Sequence, residues 1–155
     1  FGKKAQVCGL VAGPRVDEVE KNCFTVSSRI NSTWGGNTVD MVRAAKYLEI
    51  YREEKVLDYV SNVAGPALLK GLHELQAEFP EFIRNVRGKG LMCAYDICSP
   101  ELRDKFLKEC HANRMLILGC GSNTVRFRPA LNVPIAALEK GIEISRKAAK
   151  AVFKK

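Results

Sequence analysis

Two apolar stripes of helical period constrain this chain more than anything else in it. From about Val56 to Phe79, the residues Leu57, Val60, Val63, Ala64, Leu68, Leu72 and Leu75 recur at the spacing of one helix face. Pro80 closes that helix, because a proline disfavours helical geometry in the residue before it. Upstream, Met41, Ala44, Ala45, Leu48 and Tyr51 repeat at spacings of three and four, which predicts a helix beginning at Thr38. Together these helices leave too little of the first half to build a finished sheet.

The strands are therefore expected mostly downstream. Val86-Arg87-Gly88-Lys89-Gly90 reads as a basic glycine turn that opens a strand from Leu91 to Ile97. Ser99 with Pro100 reads as an N-cap and first turn of a helix running to about Asn113. Met115 to Leu118 and Thr124 to Phe127 read as short strands around the turn from Gly119 to Asn123, and a last helix is predicted from Pro134 to about Phe153. In the first half, Gln6 to Val11 reads as a buried strand, Arg15 to Lys21 as a charged turn or short helix, and Phe24 to Ser28 as extended. The order strand–helix–strand–strand–helix predicts an α/β fold whose second half is a small α+β domain.

A length of 155 residues allows one or two compact units, and 46% hydrophobic with 27% charged residues is ordinary for a globular protein. No apolar run is long enough to span a membrane. The start of the chain shows no signal-peptide pattern and no initiator methionine, which leads to the expectation of a fragment or a processed piece. The net charge of +8 is spread along helices and heaped at the C-terminus, without aromatic residues interleaved as a nucleic-acid surface requires. No nucleic-acid or membrane partner is expected. Six cysteines, Cys8, Cys23, Cys93, Cys98, Cys110 and Cys120, form no pair with zinc or redox spacing. They are expected to be reduced core thiols in a cytoplasmic compartment, and no metal site is expected.

Three places carry chemistry. Lys3 and Lys4 run directly into the apolar stretch Val7-Cys8-Gly9-Leu10-Val11-Ala12. A partly desolvated lysine amine at the end of a strand can form an imine with a carbonyl cofactor, although lysines in general are most often solvated surface. Asn31-Ser32-Thr33-Trp34-Gly35-Gly36-Asn37 offers hydroxyls and amides just before a helix, which suits an anion; an ordinary N-capping turn has the same composition. Trp34 equally suits an interface anchor. Arg126 and Arg128 flank Phe127, and they are expected to point to opposite faces, one binding a carboxylate while the other meets solvent or an acid. His73 and His111 stand in predicted helices without partner ligands and read as structural.

Four motifs in this order, Phe1-Gly2-Lys3-Lys4, Asn31-Ser32-Thr33-Trp34-Gly35-Gly36-Asn37, Val86-Arg87-Gly88-Lys89-Gly90-Leu91-Met92-Cys93 and Val125-Arg126-Phe127-Arg128-Pro129, resemble the class III aminotransferases. That family comprises pyridoxal-phosphate-dependent enzymes of fold type I, and the resemblance runs the length of the chain. It implies that Lys3 is the Schiff-base lysine and proton carrier. It further implies that Thr33, with Ser32, contacts the phosphate of pyridoxal 5'-phosphate across a homodimer, and that Arg126 binds the α-carboxylate of 2-oxoglutarate or glutamate. Lys4 and Arg128 are then structural. Residues 1–54 become the end of a large cofactor-binding domain with an inter-domain helix, and residues 55–155 a C-terminal small domain.

Within the family the motifs point to transfer of the terminal amino group of L-lysine to 2-oxoglutarate, giving 2-aminoadipate 6-semialdehyde and glutamate. A 4-aminobutyrate-type ω-aminotransferase and a non-catalytic α/β interaction module are the alternatives. The family's upstream parts are missing from this sequence: its phosphate loop, the aromatic ring that stacks on the cofactor, the acid at the pyridine nitrogen and the glutamate that faces the arginine. Alone, this chain is expected to be inactive.

Overall fold

The structure is a computed structural model that describes residues 11–30, 33 and 35–153. The chain divides into two compact units, Phe1–Glu54 and Lys55–Lys155.

In the first unit, Pro14–Glu18 forms one 3₁₀ turn with the proline in its first positions. The strand expected at Gln6 to Val11 lies outside the described residues except for Val11, which is irregular and exposed. Phe24 to Ser28 is not extended, as expected from its composition, but folded into turns. The side chain of Asn22 is the reason: its Oδ1 accepts from the backbone N–H of Phe24 and of Thr25, and its backbone carbonyl accepts from Val26. An Asx turn of this kind satisfies locally the groups that a strand would have to pair elsewhere. Helix α1 spans Thr38–Glu53, capped by Asn37. None of its residues is buried, and Met41 and Leu48 of the expected apolar face are exposed.

The second unit contains the core. A helical stretch begins with α2 (Val56–Tyr59), widens to a π-turn at Val60–Ala64 and continues as α3 (Gly65–Glu78). Pro66, in the first turn of α3, lacks the N–H that would continue an α ladder, and its ring crowds the carbonyl one turn back. The wider turn relieves both problems. It also accounts for the buried stripe, which is Val56, Val60, Ala64, Leu68, Leu72 and Leu75, while Leu57 and Val63 are exposed. Repeated four-residue steps overshoot an α-helix of 3.6 residues per turn, and the wider turn takes up the drift. Phe79 ends the helix just before Pro80.

Strands β1 (Ile83–Lys89), β2 (Met92–Ile97), β3 (Leu118–Cys120) and β4 (Thr124–Phe127) form one antiparallel sheet in the order β1-β2-β4-β3. Strand β1 corrects the expectation of a turn over Val86 to Gly90. The true turn is the pair Gly90-Leu91 between Lys89 and Met92, and Gly90 has the positive φ (57°) that such a tight hairpin demands. A bulge between Arg84 and Arg87, with Asn85 at φ 56°, breaks the alternation that would have revealed β1. Strand β3 begins three residues later than expected: Met115 to Ile117 is irregular and lies outside the sheet. Its partner stops at Phe127, and Pro129 has no N–H to carry the ladder further.

Helices α4 (Pro100–Ala112) and α5 (Ile135–Val152) pack with α3 against one face of the sheet. Ser99 caps α4, its Oγ accepting from Leu102 N. Cys93, Tyr95, Ile97, Val125 and Phe127 point into this core, where Tyr95 meets the edge of Phe106 and Phe153 stacks on Phe82 at 4.8 Å between ring centres. Alternation places Ala94, Asp96, Thr124, Arg126 and Leu118 on the opposite face of the sheet. Cys93 and Cys110 are buried thiols, whereas Cys23, Cys98 and Cys120 are only half-buried, so just part of the cysteine set is core.

Candidate carboxylate site and its neighbours

Arg126 sits in the middle of β4, opposite Ala94 on β2 and Leu118 on β3. Its Nε is buried and has no hydrogen-bond partner. Among the described residues no carboxylate pairs with its guanidinium. A buried, unsatisfied donor on a charged group is costly, by about 1–3 kcal/mol or more. An incoming carboxylate is the partner that guanidinium geometry matches best.

The expectation that Arg126 and Arg128 point to opposite faces is corrected by the strand itself. Residues two apart on a strand share a face. Arg128 lies just past the end of β4, is exposed, and lines the same cavity as Arg126.

One step along β4 on the same face, a network locks the sheet. Asp96 accepts from Thr124 Oγ1 (2.6 Å), Asn85 Nδ2 (2.7 Å) and Arg87 Nη2 (3.0 Å). Partial burial pushes the Asp96 carboxyl upward, but the hydrogen bonds from Thr124, Asn85 and Arg87 outweigh it and hold the group below the usual carboxylate range. Three strands are tied at this carboxylate, and Thr124 is two residues from Arg126. The sequence does not reveal this network, because the bulge in β1 sets which of its residues reach Asp96.

A cavity of about 390 Å³ opens at the end of the sheet that Arg126 borders. Leu68, Phe127, Leu138 and Ile144 line it, and so do the cations Arg114, Arg126, Arg128 and Lys140.

Of the remaining expected site residues, Lys3 and Ser32 lie outside the described residues, as does Trp34. Thr33 is exposed in a turn of the first unit, whereas Arg126 belongs to the second. Near Thr33, Asn37 Oδ1 accepts from Val39 N and Asp40 N, so two of the first amides of α1 are already satisfied. Asn37 thus caps α1, and Thr33 keeps an exposed hydroxyl nearby. As donors, a lysine amine and threonine and serine hydroxyls fit a ligand bearing an aldehyde and a phosphate. Among the described residues no cluster of His, Cys, Asp or Glu could hold a metal ion. No helix there is long and apolar enough to cross a membrane.

A family model described as aminotransferase class-III matches residues 1–149. The L-lysine-epsilon aminotransferase of Amycolatopsis lactamdurans is 47% identical over 144 residues, which is 92% of this chain and 32% of that protein. The human mitochondrial 4-aminobutyrate aminotransferase is 37% identical over 103 residues, 66% of this chain and 20% of that protein. The solved lysine aminotransferase from M. tuberculosis in its internal aldimine form superposes with a TM-score of 0.84 at 43% identity, covering 98% of this chain and 35% of that one. The chain thus spans about a third of the length of the lysine-acting relatives it matches.

Proposed function

Because the chain belongs to the class III aminotransferases, we propose that it supplies the lysine nucleophile and the carboxylate-binding arginine of an enzyme that moves the terminal amino group of L-lysine to 2-oxoglutarate. The products would be 2-aminoadipate 6-semialdehyde and glutamate. The observation that carries this reading is Arg126, a guanidinium with a buried, unpartnered Nε in the middle of β4. The similarity to lysine-acting enzymes over 92% of the chain supports L-lysine as the donor.

In this reading residues 1–54 end a large cofactor-binding domain and residues 55–155 form the small domain. Pyridoxal 5'-phosphate, when bound, supplies an electron sink for the carbon that gives up its proton. Lys3 would hold the cofactor covalently through its amine and, once displaced by substrate, carry a proton between carbon atoms as a general base and then acid. Ser32 and Thr33 would donate hydrogen bonds from their hydroxyls to the phosphate, acting across a homodimer. Arg126 would orient the acceptor by its α-carboxylate, bringing the keto carbon within reach of the amine. Asp96 and Thr124 hold β4, and with it the backbone of Arg126, in place.

The cytoplasm is part of the same proposal. Burial pushes the Cys110 thiol up to about 12, so at neutral pH it is a protonated core group and not a reactive thiolate.

The test joins the upstream two-thirds of the Amycolatopsis lactamdurans enzyme to this chain and follows glutamate formation. Turnover with L-lysine that disappears in Lys3→Ala is expected. Arg126→Gln should raise KM for 2-oxoglutarate by about tenfold or more, the loss of one charge-assisted pair. Turnover with 4-aminobutyrate but not with L-lysine would overturn the donor assignment.

A further inference from the structure

We propose that Tyr59 is a positioning residue for the keto-acid acceptor. Through the carbonyl of Val133 it fixes the segment from Arg128 to Val133, which walls the cavity that Arg126 lines. The proposal rests on the aminotransferase reading and deepens it, by naming what holds the surroundings of the acceptor in shape.

The segment from Arg128 to Val133 leads from β4 toward α5 and belongs to neither. Arg128, Pro129 and Val133 line the cavity together with Arg126. Its own sequence gives the segment little to hold on to. Pro129 within it and Pro134 just after it have no N–H to donate. One turn closes inside it, where Val133 N donates to Ala130 O at 3.1 Å. Among the described residues a single hydrogen bond ties the segment to another element, from the Tyr59 hydroxyl to the Val133 carbonyl at 2.7 Å. The two residues are 74 apart in sequence, so no local pattern announces the bond.

The helix that carries Tyr59 explains why it can reach. Tyr59 is the last residue of α2, and the wide turn from Val60 to Ala64 starts directly after it. Such turns interrupt helices frequently at functional sites. Val56 and Val60 are buried, and Tyr59, close to both in the helix, is half-buried. A tyrosine held in this way packs the body of its ring and gives its hydroxyl to a polar partner. Without that hydroxyl, the Val133 carbonyl loses its partner and only the turn at Ala130 still orders the segment. An acceptor paired with Arg126 would then meet a wall that moves, and a loosely supported site binds more weakly even with its charged group intact.

The test has two arms, and both use Tyr59→Phe, which keeps the ring and removes only the bond. In the purified chain, amide hydrogen exchange at Val133 should quicken about fivefold or more, while exchange at the buried Leu72 and Tyr95 stays level. In the enzyme joined to the upstream part of its Amycolatopsis lactamdurans relative, KM for 2-oxoglutarate should rise about fivefold, the worth of one neutral hydrogen bond. KM for L-lysine should not change, because in this reading Arg126 and its wall serve the acceptor. A residue that only supported the fold would raise both values together.

Equal rises in the two KM values, an unchanged KM for 2-oxoglutarate, or unchanged exchange at Val133 would each overturn the proposal. With the unsubstituted joined enzyme active, any of these results leaves the aminotransferase reading standing and removes Tyr59 alone. A joined enzyme with no turnover would remove that reading, and the role of Tyr59 with it.

Discussion

Single residues in this protein are constrained by what lies within a few ångströms of them, and two glycines show it in opposite directions. At Gly65 a β-carbon would come within 2.6 Å of the Val60 carbonyl oxygen and 3.0 Å of the Gly90 backbone, neither of which can step aside. Gly65→Ala should therefore destabilise by about 1–3 kcal/mol, more than the roughly 1 kcal/mol that helix propensity returns. At Gly141 the space is open, so Gly141→Ala should stabilise by up to about 1 kcal/mol. Urea denaturation of both variants checks the pair, and equal effects would mean that the close approach of Gly65 to Gly90 does not persist in solution.

Asp96 gives a prediction in pH. Its carboxyl is held low in the folded state, so its contribution to stability is present above the unfolded carboxylate pKa and fades as pH falls through the lower folded value. The side chain keeps 16% of its exposure and Arg87 keeps 44%, so solvent screening limits the contribution to about 1 kcal/mol. Asp96→Asn should narrow the stability difference between neutral pH and pH below about 4. Chemical denaturation at several pH values reads this directly, and an unchanged acid limb would remove Asp96 from the account.

Among the elements, helix ends show most directly how side chains set boundaries. Ser99 Oγ takes the Leu102 N–H at the start of α4, and Asn37 Oδ1 takes two amides at the start of α1. Ser99→Ala should cost about 1 kcal/mol of the stability of the second unit. Asn37→Ala should instead loosen the first turn of α1, seen as faster amide exchange at Val39 and Asp40. Both caps stand out in the sequence, because a polar residue immediately ahead of a helical period has few other uses. The π-turn between α2 and α3 does not stand out, since it arises from a proline competing with a buried face that needs four-residue steps.

For the whole molecule, the second unit contains a core of its own. Leu68, Leu72, Leu75, Tyr95, Ile97, Phe106 and Val125 are all fully buried within residues 55–155. That segment expressed alone should unfold in one cooperative thermal transition followed by circular dichroism. Phe106→Ala, which removes a ring touching both Tyr95 and Phe153, should lower its stability by about 3–5 kcal/mol. A broad, non-cooperative melt of the isolated segment would show that its core is incomplete without the first unit.

The sequence by itself determined the helices of the second unit, their caps and stops, and the chain's family through four ordered motifs. These features are written in neighbouring residues, where a period, a capping oxygen or a proline acts over one or two turns. Only the tertiary structure decided that Ile83–Lys89 is a strand, that Phe24 to Ser28 is a turn, and that Leu57 faces water while Val56 is buried. It alone assembled Asp96 with Arg87 and Thr124, and it alone left Arg126 Nε without a partner. Each of those outcomes depends on which residues a bulge, a wide helical turn or an antiparallel register places opposite one another, and such pairings between distant segments leave no local trace in the chain.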